Sequence, residues 1–409
     1  MAGMVLSSGD DKVFRVSRLT TPMVDGGRPR VAADGGRAVA RAFEVVARGG
    51  PISRSALRGS LRIGLSTVTA AVQELVERGY VAESGQAAST GGRPARLLDV
   101  ARGLGGVLAV DIGGSNLRFA AADLRGTFAY RATIATSHAL TGRRSLEDVV
   151  LDGLAAARSQ LTGPVRALAV SIAGIVDPST GAISRVDNVP RWREGDDLSW
   201  LAELSDRVLV DNEANLGALG ERRALGAGAP DDLLFVALGA GIGAGLVLDG
   251  ALYRGATGAA GEIGLLRLGA RAVELERAAA AGALAADYAR RTGRSDVAPE
   301  DVVDRARAGD EAARASLDAV VAELATGIAN AVIVLNPSIV VLGGGLALAE
   351  ERLLEPLRRR VSELVPAPPR VVVGRLGAEA ALVGAVEWAA DAAVADVVGE
   401  LQRPAVMRV

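Results

Sequence analysis

Residues 104–122 read LGGVLAVDIGGSNLRFAAA. An apolar run from Leu104 to Val110 breaks at Asp111-Ile112-Gly113-Gly114-Ser115-Asn116, and a second strand-like run follows from Leu117 to Ala122. Backbone N–H groups in such a strand–glycine turn–strand unit can close around a phosphate; the same residues can also make an ordinary tight hairpin. The pattern recurs. Residues 233–248 contain FVALGAGIGAGLVL, with Gly239 and Gly241 in the turn, and the apolar strand Ile339–Leu342 ends in Gly343-Gly344-Gly345. Three glycine turns, each after an apolar strand, point to a nucleotide-type cleft between two α/β lobes.

The 409 residues around this pattern exceed one ordinary core and suit two or three domains. At 49% hydrophobic residues the chain is not mainly disordered. No cysteine is present, which excludes disulfides, thiolate nucleophiles and cysteine-held zinc or iron–sulfur sites. The single histidine, His138, argues against histidine metal sites and an ordinary Ser-His-Asp triad. Between Ser137 and Ala139 it reads as a surface loop residue. No secretory h-region or uncharged run of about 18 apolar residues is readable, so a cytoplasmic protein without a membrane span is expected.

Charge divides the chain. Residues 37–98 carry nine Arg against four Glu, a net +5; residues 1–36 carry +1, leaving −8 on residues 99–409. A small basic block joined to a large acidic one suggests a nucleic-acid-binding head on a body with another task. In that block Val39, Phe43, Val46 and Ala47 share one helical face, and Gly49-Gly50-Pro51 stops the helix. Ile52-Ser53 is expected to open a short helix, with Ser53 as N-cap and Ala56 and Leu57 inward. After a turn at residues 61–64, a second helix over 65–78 places Val68, Val72, Leu75 and Val76 inward and ends at Gly79. Residues 80–83 and 95–98 read as two short strands around SGQAASTGGRP.

This order, a helix-turn-helix followed by a two-stranded wing, sets the second helix across the first so that its N-terminal end can enter a major groove. Leu65, Ser66, Thr67 and Thr69 form that end. Arg54 and Arg62, together with Arg93 and Arg96 of the wing, are the candidate phosphate and groove contacts. A helical protein–protein module is the alternative reading. The tetrapeptide GGRP occurs at 26–29 and again at 91–94; Arg on such an extended backbone fits a narrow A·T minor groove, a reading that suits the wing, while in the tail a plain linker is the better reading.

The body, residues 104–395, resembles the ROK family (repressor, open reading frame, kinase) of sugar kinases and sugar-responsive repressors. The matching stretches are AVDIGGSNLRFAAADLRG, LAVSIAGIVDPSTGAI, DNVPRW, VDNEANLGALGE, ALGAGIGAGLVLDGALYRGATGAAGEIG, VVLGGGL and AALVGAVEWA, and the winged head resembles the family's repressor branch. The resemblance implies an actin-like, ribonuclease-H-like ATPase fold of two lobes, preceded by a winged-helix head. The divisions expected are a flexible tail at 1–36, the head at 37–98, a first lobe at 104–214 plus 378–395, and a second lobe at 215–377.

In the family's kinases an Asp in N-D-A-N is the general base; the matching segment here is Asn212-Glu213-Ala214-Asn215, with Glu one methylene longer. The G-T-G of the second phosphate loop is Gly239-Ala240-Gly241, without the Thr hydroxyl. The G-E-x-G-H segment is Gly261-Glu262-Ile263-Gly264-Leu265, without the His, and the Cys-rich zinc loop is missing before Leu275-Glu276. The resemblance therefore implies no catalytic residue, no zinc and no ATP requirement, with Asp111, Gly113, Gly114, Ser115, Gly239, Gly241, Gly343 and Gly344 kept as vestigial nucleotide loops. It nominates Gly174, Asn188, Asn212, Glu213, Glu262 and Glu276 for a sugar. The function implied is a sugar-responsive transcriptional regulator, acting as a repressor on two-fold operator DNA as a homodimer or homotetramer. A sugar kinase with an added head and a constitutive DNA-binding protein with an idle pocket are the rivals.

Overall fold

Helix Gly35–Gly49 (α1) buries Val39, Ala40, Phe43, Val46 and Ala47 along one stripe. The structure, a computed structural model, describes residues 35–87, 94–186, 188–270, 272–344 and 351–403. The tail expected over residues 1–36 lies outside the described residues except for its last two; Arg93 and Gly345 also lie outside them. After Ile52–Ser53 (β1), the Ser53 hydroxyl accepts the Ala56 N–H at 3.2 Å and caps Arg54–Leu61 (α2). Arg62, left-handed at φ 53°, ends that helix, and Leu65–Glu77 (α3) follows. Gly79 (φ 73°) then turns the chain into Val81–Gln86 (β2), which pairs antiparallel with Arg96–Val100 (β3).

Three details correct the sequence reading. Ile52 and Ser53 form a short strand opposite Leu98 and Leu97, with Ser53 still capping the helix as expected, so the wing sheet has three strands in the order β1-β3-β2. Ala56 is exposed, and α2 turns Leu57 and Leu61 inward. Val76 is 40% exposed; the buried row of α3 is Val68, Ala71, Val72 and Leu75, an i, i+3, i+4, i+7 set that Val76 falls beside.

The first lobe is built on Gly106–Ile112 (β4), Asn116–Asp123 (β5) and Phe128–Ala135 (β6). It continues through Thr136–Ala139 (α4), where His138 is exposed, Leu146–Arg158 (α5) and Val165–Ile172 (β7). The small hairpin Ile175–Val176 (β8) and Ile183–Ser184 (β9) precedes Val208–Asn212 (β10). Glu213–Leu225 (α6) leads to the second lobe: Leu233–Leu238 (β11), Ile242–Leu248 (β12), Ala251–Tyr253 (β13) and the hairpin Arg267–Leu268 (β14) and Val273–Glu274 (β15). Helices Leu275–Ala279 (α7), Ala281–Thr292 (α8), Pro299–Ala308 (α9) and Glu311–Leu335 (α10) follow, then Ile339–Gly343 (β16), Glu351–Leu364 (α11), Arg370–Val373 (β17) and Ala380–Gln402 (α12).

The two five-stranded sheets, β10-β7-β4-β5-β6 and β13-β12-β11-β16-β17, take the same course. In each, the first strand lies in the middle, two antiparallel strands follow on one side, and two parallel strands lie on the other. This repeated sheet is the actin-like two-lobed body. Helix α10 is apolar and long enough to cross a membrane by composition, yet its inner face, from Ala313 to Val332, packs in the second lobe's core.

Helices α6 and α12 cross where the lobes meet, and glycines let their backbones touch. A Cβ on Gly384 would stand on the Leu216 carbonyl, and one on Gly220 on the Ala380 carbonyl. The buried Glu221 carboxylate accepts the Arg375 and Leu376 N–H groups, both at 2.8 Å, and fixes the approach to α12. Beyond residue 395, where the first lobe was expected to end, α12 runs on to Gln402 under α1. Phe43, Leu57, Val68, Leu75, Ala393, Val397 and Leu401 belong to one hydrophobic core, which continues into Val107, Ala109 and Ala169 of the first lobe. Arg48 to Asp391 (2.8 Å) and Arg125 to Asp99 (3.2 Å) rim this joint.

Candidate functional site

Asp111, Ser171 and Asp211 stand in one register row across the adjacent parallel strands β4, β7 and β10. The Asp111 carboxylate is buried; it accepts the Ser171 hydroxyl at 2.7 Å and pairs with Arg118 of β5 at 2.7 Å. Burial pushes the Asp111 carboxyl upward, while Ser171 and Arg118 favour its charge. One residue beyond Asp211, Asn212 caps α6. Its Oδ1 accepts the N–H groups of Ala214 (2.8 Å) and Asn215 (3.3 Å), and its Nδ2 donates to the Gly174 carbonyl at 2.8 Å. Asn212 and Gly174 therefore meet, but the Asn212 side chain is engaged in shaping the loop.

Glu213 is the first residue of α6, where the helix dipole favours a carboxylate. Burial dominates instead: with Asp111 and Glu262 nearby, the Glu213 carboxyl is pushed up to about 7. The folded chain thus holds this proton more tightly than an ordinary carboxyl of 4.5, so the contribution of Glu213 to stability falls as pH rises from about 4.5 to about 7. Melting temperatures of the wild type and Glu213→Gln between pH 4 and 8 test this; the wild type should show the steeper decline, and parallel curves would refute it.

The opposite wall comes from the second lobe. Glu276, on α7, accepts the Ile242 N–H at 2.9 Å, and a Cβ on Gly241 would lie 2.5 Å from its carboxylate and 3.9 Å from Asn188 Nδ2. A Cβ on Gly114 would run into the Asn188 carbonyl. The first and second glycine turns, exposed Asn188 and Glu276 thus converge between the lobes. Glu262 ends the loop that follows β13 and is partly buried. Leu265, where the kinases of the resemblance have His, is 36% exposed. Gly343 and Gly344 pack the third turn on the second: Cβ atoms there would meet the Phe235 ring and the Leu238 backbone. Among the described residues no cluster of His, Cys, Asp or Glu is arranged to hold a metal ion.

The sequence reading missed Arg254, next after β13. Its Nε donates to Asp211 Oδ2 at 2.6 Å, and its guanidinium lies 5.2 Å from the centroid of the Trp388 ring. An Arg closing a strand opposite a buried Asp has no periodic signature, so only the tertiary structure reveals it.

On the head, Leu65 is 57% exposed, and Ser66 and Thr69 are exposed beside it, with Thr67 half-buried. Gly64 gives α3 no side-chain cap, which leaves its first-turn N–H groups without a side-chain partner. Arg62 is exposed in the turn between the helices. Arg54 and Arg96 converge on Glu83 of β2: Arg54 pairs with Glu83 Oε1 at 3.1 Å and Arg96 with Oε2. Arg96, then Arg54, holds the Glu83 carboxyl below the usual range. Glu83→Gln should release two guanidiniums for phosphate and strengthen operator binding roughly threefold or more at low salt. Anisotropy titrations at two salt concentrations check this; weaker binding would instead make Glu83 a necessary brace.

The repeated sheets, the interlobe cleft and the winged head define a sugar-kinase-type body joined to a helix-turn-helix module. The ROK family model matches residues 107–392, and the chain belongs to the ROK family. The xylose repressor of Caldicellulosiruptor bescii is 26% identical over 339 residues, covering 76% of this chain and 84% of that one. A ROK family transcriptional regulator, homolog of the E. coli MLC protein, superposes with a TM-score of 0.70 at 20% identity over 90% of this chain and 98% of its own, a likeness of fold. The ROK glucokinase from Streptomyces griseus, solved with glucose and AMPPNP, gives a TM-score of 0.59 at 25% identity over 69% of this chain and 98% of its own.

Proposed function

We propose that this chain is a sugar-responsive DNA-binding regulator of carbohydrate genes, acting as a repressor, with its kinase-like body serving as the sensor. The observation that carries this reading is the single hydrophobic core shared by the winged head, α12 and the first lobe. A head merely tethered to an enzyme needs no such core. The cleft's chemistry agrees. Asp111 is spent on Arg118 and Ser171, the Ile242 N–H of the second glycine turn is taken by a carboxylate, and Ala240 offers no hydroxyl to a phosphate. Carboxylates and amides remain for the hydroxyls of a neutral sugar. The chain would bind two-fold operators as a homodimer or homotetramer. Lobe closure on sugar would shift the paired heads, and a coupling of about 1–3 kcal/mol suffices to switch occupancy.

The second reading is an ATP-dependent sugar kinase with an added head. Glu213 favours it, because a carboxyl near 7 at the kinase-base position could accept a hydroxyl proton. A thermal-shift panel on the full chain separates the two, using mono- and disaccharides with xylose first, their phosphates, and ATP. One sugar raising the melting temperature, with ATP inert and no phosphorylated product, supports the sensor. A shift with ATP and ATP-dependent product supports the kinase, and silence throughout supports the idle pocket.

A further inference from the structure

The guanidinium of Arg254 touches three parts of the molecule at once. It leaves the second lobe directly after β13, pairs with Asp211 on the first lobe's β10, and lies over Trp388 on α12. We propose that Arg254 is a positioning residue that reports the state of the cleft to α12 and, through α12, to the DNA-binding head. The inference rests on the sensor reading above and names the part that carries its signal.

On the cleft side, the loop from Arg254 to Glu262 is tied back on itself, since the Ala260 N–H donates to the Arg254 carbonyl at 3.2 Å. With the Glu262 N–H in turn directed at the Ala259 carbonyl (3.4 Å), the loop forms a short connection by which a shift at Glu262 would reach Arg254. The same loop touches the first lobe, where a Cβ on Gly258 would run into the Val176 carbonyl. Asp211 is 2% exposed, and its Oδ1 accepts the Asn212 N–H at 2.7 Å and Asn215 Nδ2 at 2.8 Å. The carboxylate that grips Arg254 thus also fixes the residue that caps α6 under Glu213. A buried carboxylate holds its cationic partner firmly, because separation strands a charge away from water. Movement of the second lobe is then passed on through the pair.

On the head side, Trp388 lies three residues before Asp391, the partner of Arg48 on α1. The next turns of α12 bury Ala389, Ala393, Val397 and Leu401 in the core shared with α1. A guanidinium over an indole face is held there by cation–π attraction while its planar fork keeps the Asp211 pair, a combination that the point charge of an ammonium reproduces less well.

Two single variants of the full chain test the assignment. Trp388→Leu removes the aromatic face and keeps the ion pair; Arg254→Lys keeps the charge and loses the planar fork. For each, sugar affinity is measured by calorimetry, and operator affinity by anisotropy with and without saturating sugar, the sugar being the one identified with the wild type. Trp388→Leu should bind sugar and free operator within about threefold of the wild type, and in both variants the sugar-induced change in operator affinity should shrink at least fivefold. Should Arg254→Lys fail to fold, Trp388→Leu alone decides. A wild-type response that persists undiminished in the variants overturns this assignment and leaves the sensor standing. A wild type whose operator affinity ignores every sugar overturns the sensor and the assignment together.

Discussion

Replacing Glu213 with Ala is expected to weaken sugar binding about 30- to 100-fold while leaving operator affinity without sugar within twofold. Glu213 is the first residue of α6, partly buried, and close enough to Asp111 and Glu262 for their charges to raise its carboxyl. Its side chain is used in no described helix cap or loop brace. Asn212 caps α6, and Glu276 holds the Ile242 amide. Deleting the carboxyl should therefore remove a ligand contact without unravelling its surroundings, and a lost hydrogen bond in a desolvated site costs about 2–3 kcal/mol. Calorimetric titration of both proteins with the sugar that stabilises the wild type provides the check. Equal affinities would remove Glu213 from the site. Asn212→Ala should behave differently, losing both sugar affinity and melting temperature, because the cap and the Gly174 loop go with it.

Gly384→Val is expected to destabilise the folded chain by about 3 kcal/mol or more, the largest stability change anticipated for a single substitution here. A Cβ at residue 384 falls on the Leu216 carbonyl and close to the Gly220 amide of α6. Neither is the end of a flexible side chain, so one helix must be pushed off the other. Gly399 supplies the control on the same helix: a Cβ there meets nothing within 4 Å. Gly399→Ala should be neutral or stabilising by up to about 1 kcal/mol, since glycine is a poor helix former. Thermal and denaturant unfolding of the two variants side by side make the comparison. Similar losses in both would mean that helix propensity, and not the crossing, sets the effect.

Legibility in the sequence followed the range of the interaction. The glycine turns at Gly113, Gly239 and Gly344 could be seen because each is a local event at the end of an apolar strand. The helix-turn-helix could be seen from the period of its apolar residues and from Ser53. Errors came where hydrophobicity was weighed without angle. Val76 is apolar but lies beside the buried row, while the smaller Ala71 lies within it. Ile52 and Ser53 became a strand because Leu97 and Leu98, more than forty positions away, offered them a partner. The cleft residues were named from the matching motifs, yet their separate tasks became apparent only with the hydrogen bonds. Asn212 braces a loop, Glu276 holds an amide, and Glu213 keeps a carboxyl toward its acidic neighbours. The Asp211–Arg254–Trp388 contact joins three distant segments and leaves no local pattern to read.

Helix α12 ends the described chain, and α1 begins it. Of the described elements, the surface on which the head rests is thus the last to be synthesised. A growing chain can assemble α1 to β3 early, yet Ala393, Val397 and Leu401 arrive only after the body's sheets have been made. Until then the head lacks its seat, and the sheet face beneath α12 lacks its cover. Chains cut short before α12 should therefore expose apolar surface and enter quality control instead of occupying operators. In this arrangement the head gains its seat only after the sheets of both lobes have been made.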